Sequence, residues 1–187
     1  MDRFKFLSIL LVAVICILTS CKDGTSINEG DASEVITAHL ESNPEYKTTS
    51  FKFGEIKFHS RKDRENLKKY EELADKGLIQ MALNEQKKVF LSKDTIYVYQ
   101  VTLSEKASPL VLEQSNNRAT VKAVNYILDG DKPVNFEQSN DKTAKATVSL
   151  KIEPTDFYPF LNKESNSDFI TKTYKLKLKK DSGWEVE

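Results

Sequence analysis

Two cysteines, Cys16 and Cys21, and two histidines, His39 and His59, carry the sharpest chemistry in this chain. A Cys16–Cys21 disulfide is one use of the thiols; covalent modification of one of them is another. Zinc needs three or four ligands, and two distant histidines without a cysteine or a carboxylate pair beside them do not supply a set. His39 falls four residues after Val35, at the border of an apolar helical stripe, and is expected to pack there. His59 closes an apolar strand phrase and is expected at a surface or cap. The chain has no G-x-S-x-G elbow, and neither histidine is marked as the partner of a serine. Asp129 and Asp131 flank Gly130; calcium would require six to eight oxygens, whereas a turn accounts for all three residues. The expectation is no catalytic residue, no metal and no cofactor.

The thiols acquire meaning from what precedes them. Arg3 and Lys5 stand before a run from Phe6 to Leu18 that is apolar apart from Ser8. As a helix this run would be roughly 20 Å long, short of the ~30 Å hydrocarbon core. It fits the apolar region of an export signal better than an uncleaved membrane anchor. Leu18-Thr19-Ser20-Cys21 resembles a bacterial lipobox. The resemblance implies cleavage between Ser20 and Cys21 and a diacylglyceryl thioether, with palmitate-type chains, on Cys21. Residues 1–20 are then a signal peptide, and the mature chain retains no free thiol. Residues 21–30, polar and punctuated by Gly24 and Gly30, are expected to form a flexible tether. Lys22 after the cysteine suits sorting to the outer membrane of a Gram-negative cell envelope. Asp94-Thr95-Ile96 also matches a short O-glycosylation pattern of some Gram-negative envelopes.

Charge excludes one large class of partner. Over 187 residues, 28 Lys and Arg balance 28 Asp and Glu, so no strong field draws the chain to nucleic acid. The expected partners are the membrane, through the lipid anchor, and an envelope protein.

The elements expected beyond the tether give an α+β fold in two parts. Asp31-Ala32-Ser33-Glu34 reads as a capping box, opening a helix with Ala32, Val35, Ile36 and Leu40 on one face and Asn43-Pro44 at its end. Phe51, Phe53, Ile56 and Phe58 suggest a strand or a bulged pair. A second helix from Ser60 or Asp63 presents Leu67, Tyr70, Leu73 and Ala74, with Gly77 as a left-handed cap. A hairpin follows, turning near residues 84–88 and returning over Thr95–Leu103. Leu73-Ala74-Asp75-Lys76-Gly77-Leu78-Ile79, this hairpin, and Val101-Thr102-Leu103-Ser104-Glu105-Lys106-Ala107 are similar to winged-helix regulators of the multiple-antibiotic-resistance type. The similarity spans about residues 50–107 and implies a winged-helix-like subdomain over 31–113. DNA binding does not follow from it. The candidate recognition helix sets Glu65, Glu71, Glu72 and Asp75 against Arg64, Lys68 and Lys69.

From residue 114 to 187 the period changes to two, and an antiparallel β-meander subdomain is expected. Ala119, Val121 and Ala123 alternate until an irregularity shifts the pattern to Val124, Tyr126 and Leu128. Ala144, Ala146, Val148, Leu150 and Ile152 alternate without a break, and Lys175, Lys177 and Lys179 alternate with Tyr174, Leu176 and Leu178. That lysine row, with Lys180, would either meet lipid headgroups or protect a sheet edge from pairing. The closing Gly183-Trp184-Glu185-Val186 resembles the terminal strands of nuclear-transport-factor-2-like and cystatin-like cone folds. Phe157, Tyr158 and Phe160, stiffened by Pro154 and Pro159, are the candidate contact surface; the same residues would also serve as a plug over the β-core. Three functions follow. The first is a non-enzymatic binding or assembly module. The second is a cone-fold small-molecule-binding or hydrolytic domain whose pocket Tyr126, Tyr174, Trp184 or His59 would line. The third is a tethered immunity or inhibitor protein.

Overall fold

The structure, a computed structural model, describes residues 26–162 and 167–187. The proposed signal peptide, Ser20, Cys21 and the tether as far as residue 25 lie outside the described residues, as does part of the polar loop at 162–168. Among the described residues no helix is long and apolar enough to cross a membrane.

Helix α1 runs over Glu29–Ser42. Its capping box sits three residues earlier than expected: the Asn28 side chain accepts from the Asp31 amide at 3.0 Å, and the Asp31 carboxylate accepts from the Asn28 amide at 3.2 Å. Ile27, just outside the cap, is buried with Ala32, as a hydrophobic staple requires. The expected tether is therefore ordered from Ile27 onward. Ala32, Ile36 and Leu40 form the buried stripe.

The strands among the described residues make two antiparallel sheets. The smaller contains β2 (Gly54–His59), β3 (Ile79–Lys88) and β4 (Thr95–Leu103), in the order β2-β4-β3. The larger has the path β1-β6-β8-β9-β10, from β1 (Glu45–Lys52), β6 (Arg118–Leu128), β8 (Thr143–Pro154), β9 (Phe169–Lys179) and β10 (Gly183–Val186). β5 (Val111–Ser115) pairs with β6, and β7 (Asn135–Asn140) with β8. The fold is α+β, mostly β, as expected at that level.

The sheets do not divide the chain at 113/114. β1 pairs with β6 along its whole length, from Glu45↔Tyr126 to Lys52↔Arg118. α1 covers the face of β8 and β9 formed by Ala144, Ala146, Val148, Leu150, Tyr174 and Leu176. A second core joins the small sheet to the end of the large one, with Phe51, Phe58, Tyr70, Leu73, Val101, Val121 and Phe157 packed together. Phe51 is its hinge-pin: no part of it reaches solvent, and its ring meets Tyr70, Phe157 and Phe160 at 5.1–5.2 Å.

Helix α2 (Arg64–Asp75) lies between β2 and β3, and no second helix stands between those strands. A helix-turn-helix pair is thus missing from the described segment that resembles a winged helix. The C-terminus of α2 follows the sequence closely. Gly77 adopts φ +72°, while the Leu78 amide reaches the Leu73 carbonyl at 2.9 Å and the Gly77 amide the Ala74 carbonyl at 2.8 Å. These are the two bonds of a Schellman cap. The Ser104-Glu105-Lys106-Ala107 phrase of that resemblance leads into a 3₁₀ turn over Glu105–Leu110, with Pro109 inside it.

The irregularity near Ala123 is a bulge where β1 changes register between Lys47 and Thr48. Ala123 and Val124 are consequently both buried. The Thr155 hydroxyl occupies the freed carbonyls, at 2.6 Å from that of Lys122 and 3.0 Å from that of Ala123. That anchors the aromatic segment 157–161 beneath the sheet.

Candidate functional site

Polar or aromatic side chains gather in several places. The first is a groove of about 550 Å³ between α1 and β10. Val35, Ala38, His39 and Ser42 line it from the helix, with Trp184 and Val186 opposite; Glu34 and Glu185 add carboxylates. The helix supplies small side chains on the shoulder of its buried stripe, so it cannot close fully onto the strand. The Trp184 indole nitrogen is buried and meets no acceptor among the described residues. A donor left so costs about 1–3 kcal/mol.

The strand wall matters as much as the side chains. The Glu187 amide donates to the Lys175 carbonyl at 2.8 Å, and Glu185 lies opposite Lys177. By antiparallel alternation, the backbone groups of Trp184 and Val186 point away from β9. Among the described residues, no strand occupies that side. The groove therefore runs beside an open sheet edge.

Behind it lies a fixed polar group. His39 meets the Tyr174 ring edge-on at 5.9 Å. The Tyr174 hydroxyl donates to the Glu45 carboxylate at 2.6 Å, and the Lys172 ammonium lies 2.5 Å from the same oxygen. Burial raises the Glu45 pKa, but the bonds from Lys172 and Tyr174 outweigh it and hold the carboxyl below its ordinary value. Burial, and then Glu45, push the Tyr174 phenol well above its usual value. Tyr174 is thus a permanent donor, unsuited to serve as a base or nucleophile.

The second place is a His–Asp–Ser cluster at the turn end of the β3–β4 hairpin, where β4 begins. His59 Nδ1 lies 2.8 Å from Asp94 Oδ2, and the Ser60 hydroxyl donates to Asp94 Oδ1 at 2.8 Å. The bonds from Ser60 and His59 depress the Asp94 carboxyl to about 2. Serine activation needs the imidazole between serine and carboxylate; here the carboxylate stands in the middle. Ser60 Oγ also accepts from the Thr95 amide at 2.9 Å, so its capacity is spent on pinning β4 to β2. Thr95, of the glycosylation pattern, is half-buried in this lock.

The third is a cavity of about 240 Å³ involving Val124, Tyr126, Ile152, Tyr158 and Leu161. The four expected pocket residues do not share a site: Trp184 lines the groove, Tyr174 stands behind it, Tyr126 faces the small cavity, and His59 belongs to the other sheet.

The chain matches no family model, no curated protein and no solved structure.

Two sequence expectations are corrected. Phe157 is completely buried and Tyr158 and Phe160 are partly so. Phe157 is therefore a core residue and not a contact residue, drawn inward by Phe51 and the Thr155–bulge bonds, and Phe160 packs beside it on Phe51 and Tyr70. The Lys175, Lys177, Lys179 row lies on β9, which has β8 on one side and β10 on the other, so it guards no edge. Asp129 and Asp131 do form the turn, and Lys151 already supplies a cation within 4.0 Å of both. Among the described residues no cluster of three metal-ligating side chains occurs. The groove residues Ala38 and Ser42 carry no signal in the sequence, and Val35 reads only as part of the helical stripe.

Proposed function

We propose that the chain is a lipid-anchored lipoprotein of a Gram-negative cell envelope, held at the outer membrane through Cys21. In this reading it acts as a non-enzymatic binding module that takes an extended peptide segment of an envelope partner into the α1–β10 groove. The observation that carries the reading is the groove's position beside the backbone of Trp184 and Val186, which no strand among the described residues pairs on that side. An extended segment there would add a strand, with main-chain bonds giving affinity and alternate side chains entering the groove. Val35, Ala38 and Val186 would receive an apolar side chain, while Glu34 and Glu185 favour a basic one beside it. The β2–α2–β3–β4 unit, one helix and one hairpin, would serve as the scaffold behind β1.

A small-molecule site of cone-fold type in the same groove is the second reading, supported by the unsatisfied indole donor of Trp184. Both readings are tested by selecting random twelve-residue displayed peptides and following Trp184 fluorescence, since it is the one tryptophan of the chain. Ala38→Arg places a long side chain in the groove from an exposed helix position. It should weaken selected peptides at least tenfold, which is about 1.4 kcal/mol. Peptides that bind the variant unchanged would remove the groove reading. For the anchor, Cys21→Ala should abolish labelling by radioactive palmitate and leave an uncut precursor; persistent labelling would refute it.

A further inference from the structure

The tip of the β3–β4 hairpin presents a pair of apolar side chains that the fold does not use. Phe90 is 88% and Leu91 92% exposed. The Ser92 amide bonds the Val89 carbonyl at 3.1 Å, making Val89–Ser92 a β-turn with Phe90 and Leu91 at its centre. Leu91 has φ +59° and is the one non-glycine residue at positive φ among the described residues. With only the second central residue at positive φ, this turn position favours glycine. Glycine in place of Leu91 would serve local folding better. The segment Gln86–Lys93 carries Lys87, Lys88 and Lys93 and no acid. Lys87 pairs with Glu85 at 2.6 Å, while Lys88 and Lys93 have no carboxylate partner among the described residues.

We propose that this tip inserts into an anionic lipid bilayer: Phe90 and Leu91 enter the acyl boundary while Lys87, Lys88 and Lys93 meet headgroup phosphates. Two apolar side chains flanked by cations match the layering of a membrane surface, phosphate above hydrocarbon. A protein socket would have to supply both chemistries at one small spot. The inference is independent of the groove and of Cys21 acylation, since it rests on the tip alone.

The test incorporates the full chain carrying Phe90→Trp, acylated at Cys21 or not, into vesicles of phosphatidylethanolamine and phosphatidylglycerol, with phosphatidylcholine vesicles for comparison. Emission from the parent chain is subtracted to remove Trp184. The tryptophan introduced at the tip should shift to the blue and be quenched by lipids brominated on the acyl chain. Each lysine near an anionic surface contributes about fivefold, so Lys87, Lys88 and Lys93 all changed to Gln should lower the inserted-to-free ratio roughly a hundredfold. Leu91→Gly in the same chain should reduce quenching and leave the circular dichroism spectrum and melting temperature intact or improved. Emission characteristic of water and no bromine quenching in anionic vesicles would overturn the proposal, including the case in which the tip docks on a protein. Equal quenching in both vesicle types would also overturn it, because the lysines would then have no part.

Discussion

Removing the Phe51 ring should unfold both sheets together. Phe51 belongs to a strand of the large sheet, yet its ring packs on Tyr70 of α2 and on Phe157 and Phe160. A buried Phe→Ala change typically costs about 3–5 kcal/mol. Aromatic pairs contribute about 0.5–1.5 kcal/mol beyond buried area, which places Phe51 near the upper end, about 4–5 kcal/mol. For a domain of this size that lowers the melting temperature by roughly 8–20 °C. The informative readout is Trp184, which lies in the other core, beneath α1. Urea unfolding of Phe51→Ala should be followed by Trp184 fluorescence and by far-ultraviolet circular dichroism. If β1 joins the cores into one cooperative unit, both transitions move together to lower urea. A Trp184 transition that stays in place while the dichroism moves would refute the reasoning and leave two independent units.

Two further outcomes follow. Gly77→Ala should destabilise by about 1–2 kcal/mol, the cost of left-handed backbone for an L residue, because its Cβ would find Lys106 no nearer than 3.9 Å; Gly130→Ala, open and not at positive φ, should be near neutral, and equal effects in urea melts would contradict the cap. Asp94, depressed from 3.8 to about 2, contributes stability that is complete above about pH 4 and is lost as pH falls toward 2. Asp94→Asn should flatten the acid limb of stability against pH in that window; an unchanged slope would remove the Ser60–His59 lock as its cause.

Local chemistry made much of this fold legible. Gly77 could be placed at a helix end because only glycine takes that backbone easily. The β8 alternation gave its buried face residue by residue, since one side meets α1 and the other water. Asp129-Gly130-Asp131 turned where it should. Long-range pairing was not legible: nothing in Glu45–Lys52 announces β6 as its partner, and that pairing interleaves the two halves. Alternating lysines on β9 read alike for an edge strand and for an inner strand solvated on one face. The aromatic trio and the groove share this limit. Phe157 is buried by Phe51, which lies far earlier in the chain, and the groove joins residues 34–42 to 184–186. The hairpin turn, expected near residues 84–88, lies at Val89–Ser92 instead, because the polar run 84–88 pairs with β4 as strand and the apolar Phe90-Leu91 pair carries no turn signal.

The most direct test of the account is amide hydrogen exchange across β10, with and without a saturating groove-selected peptide. Strand addition predicts that the Trp184 and Val186 amides, which face the open edge, become protected on binding, while the Glu185 amide, already paired with β9, changes little. Binding that leaves Trp184 and Val186 exchanging as in the free protein would contradict peptide capture at this edge.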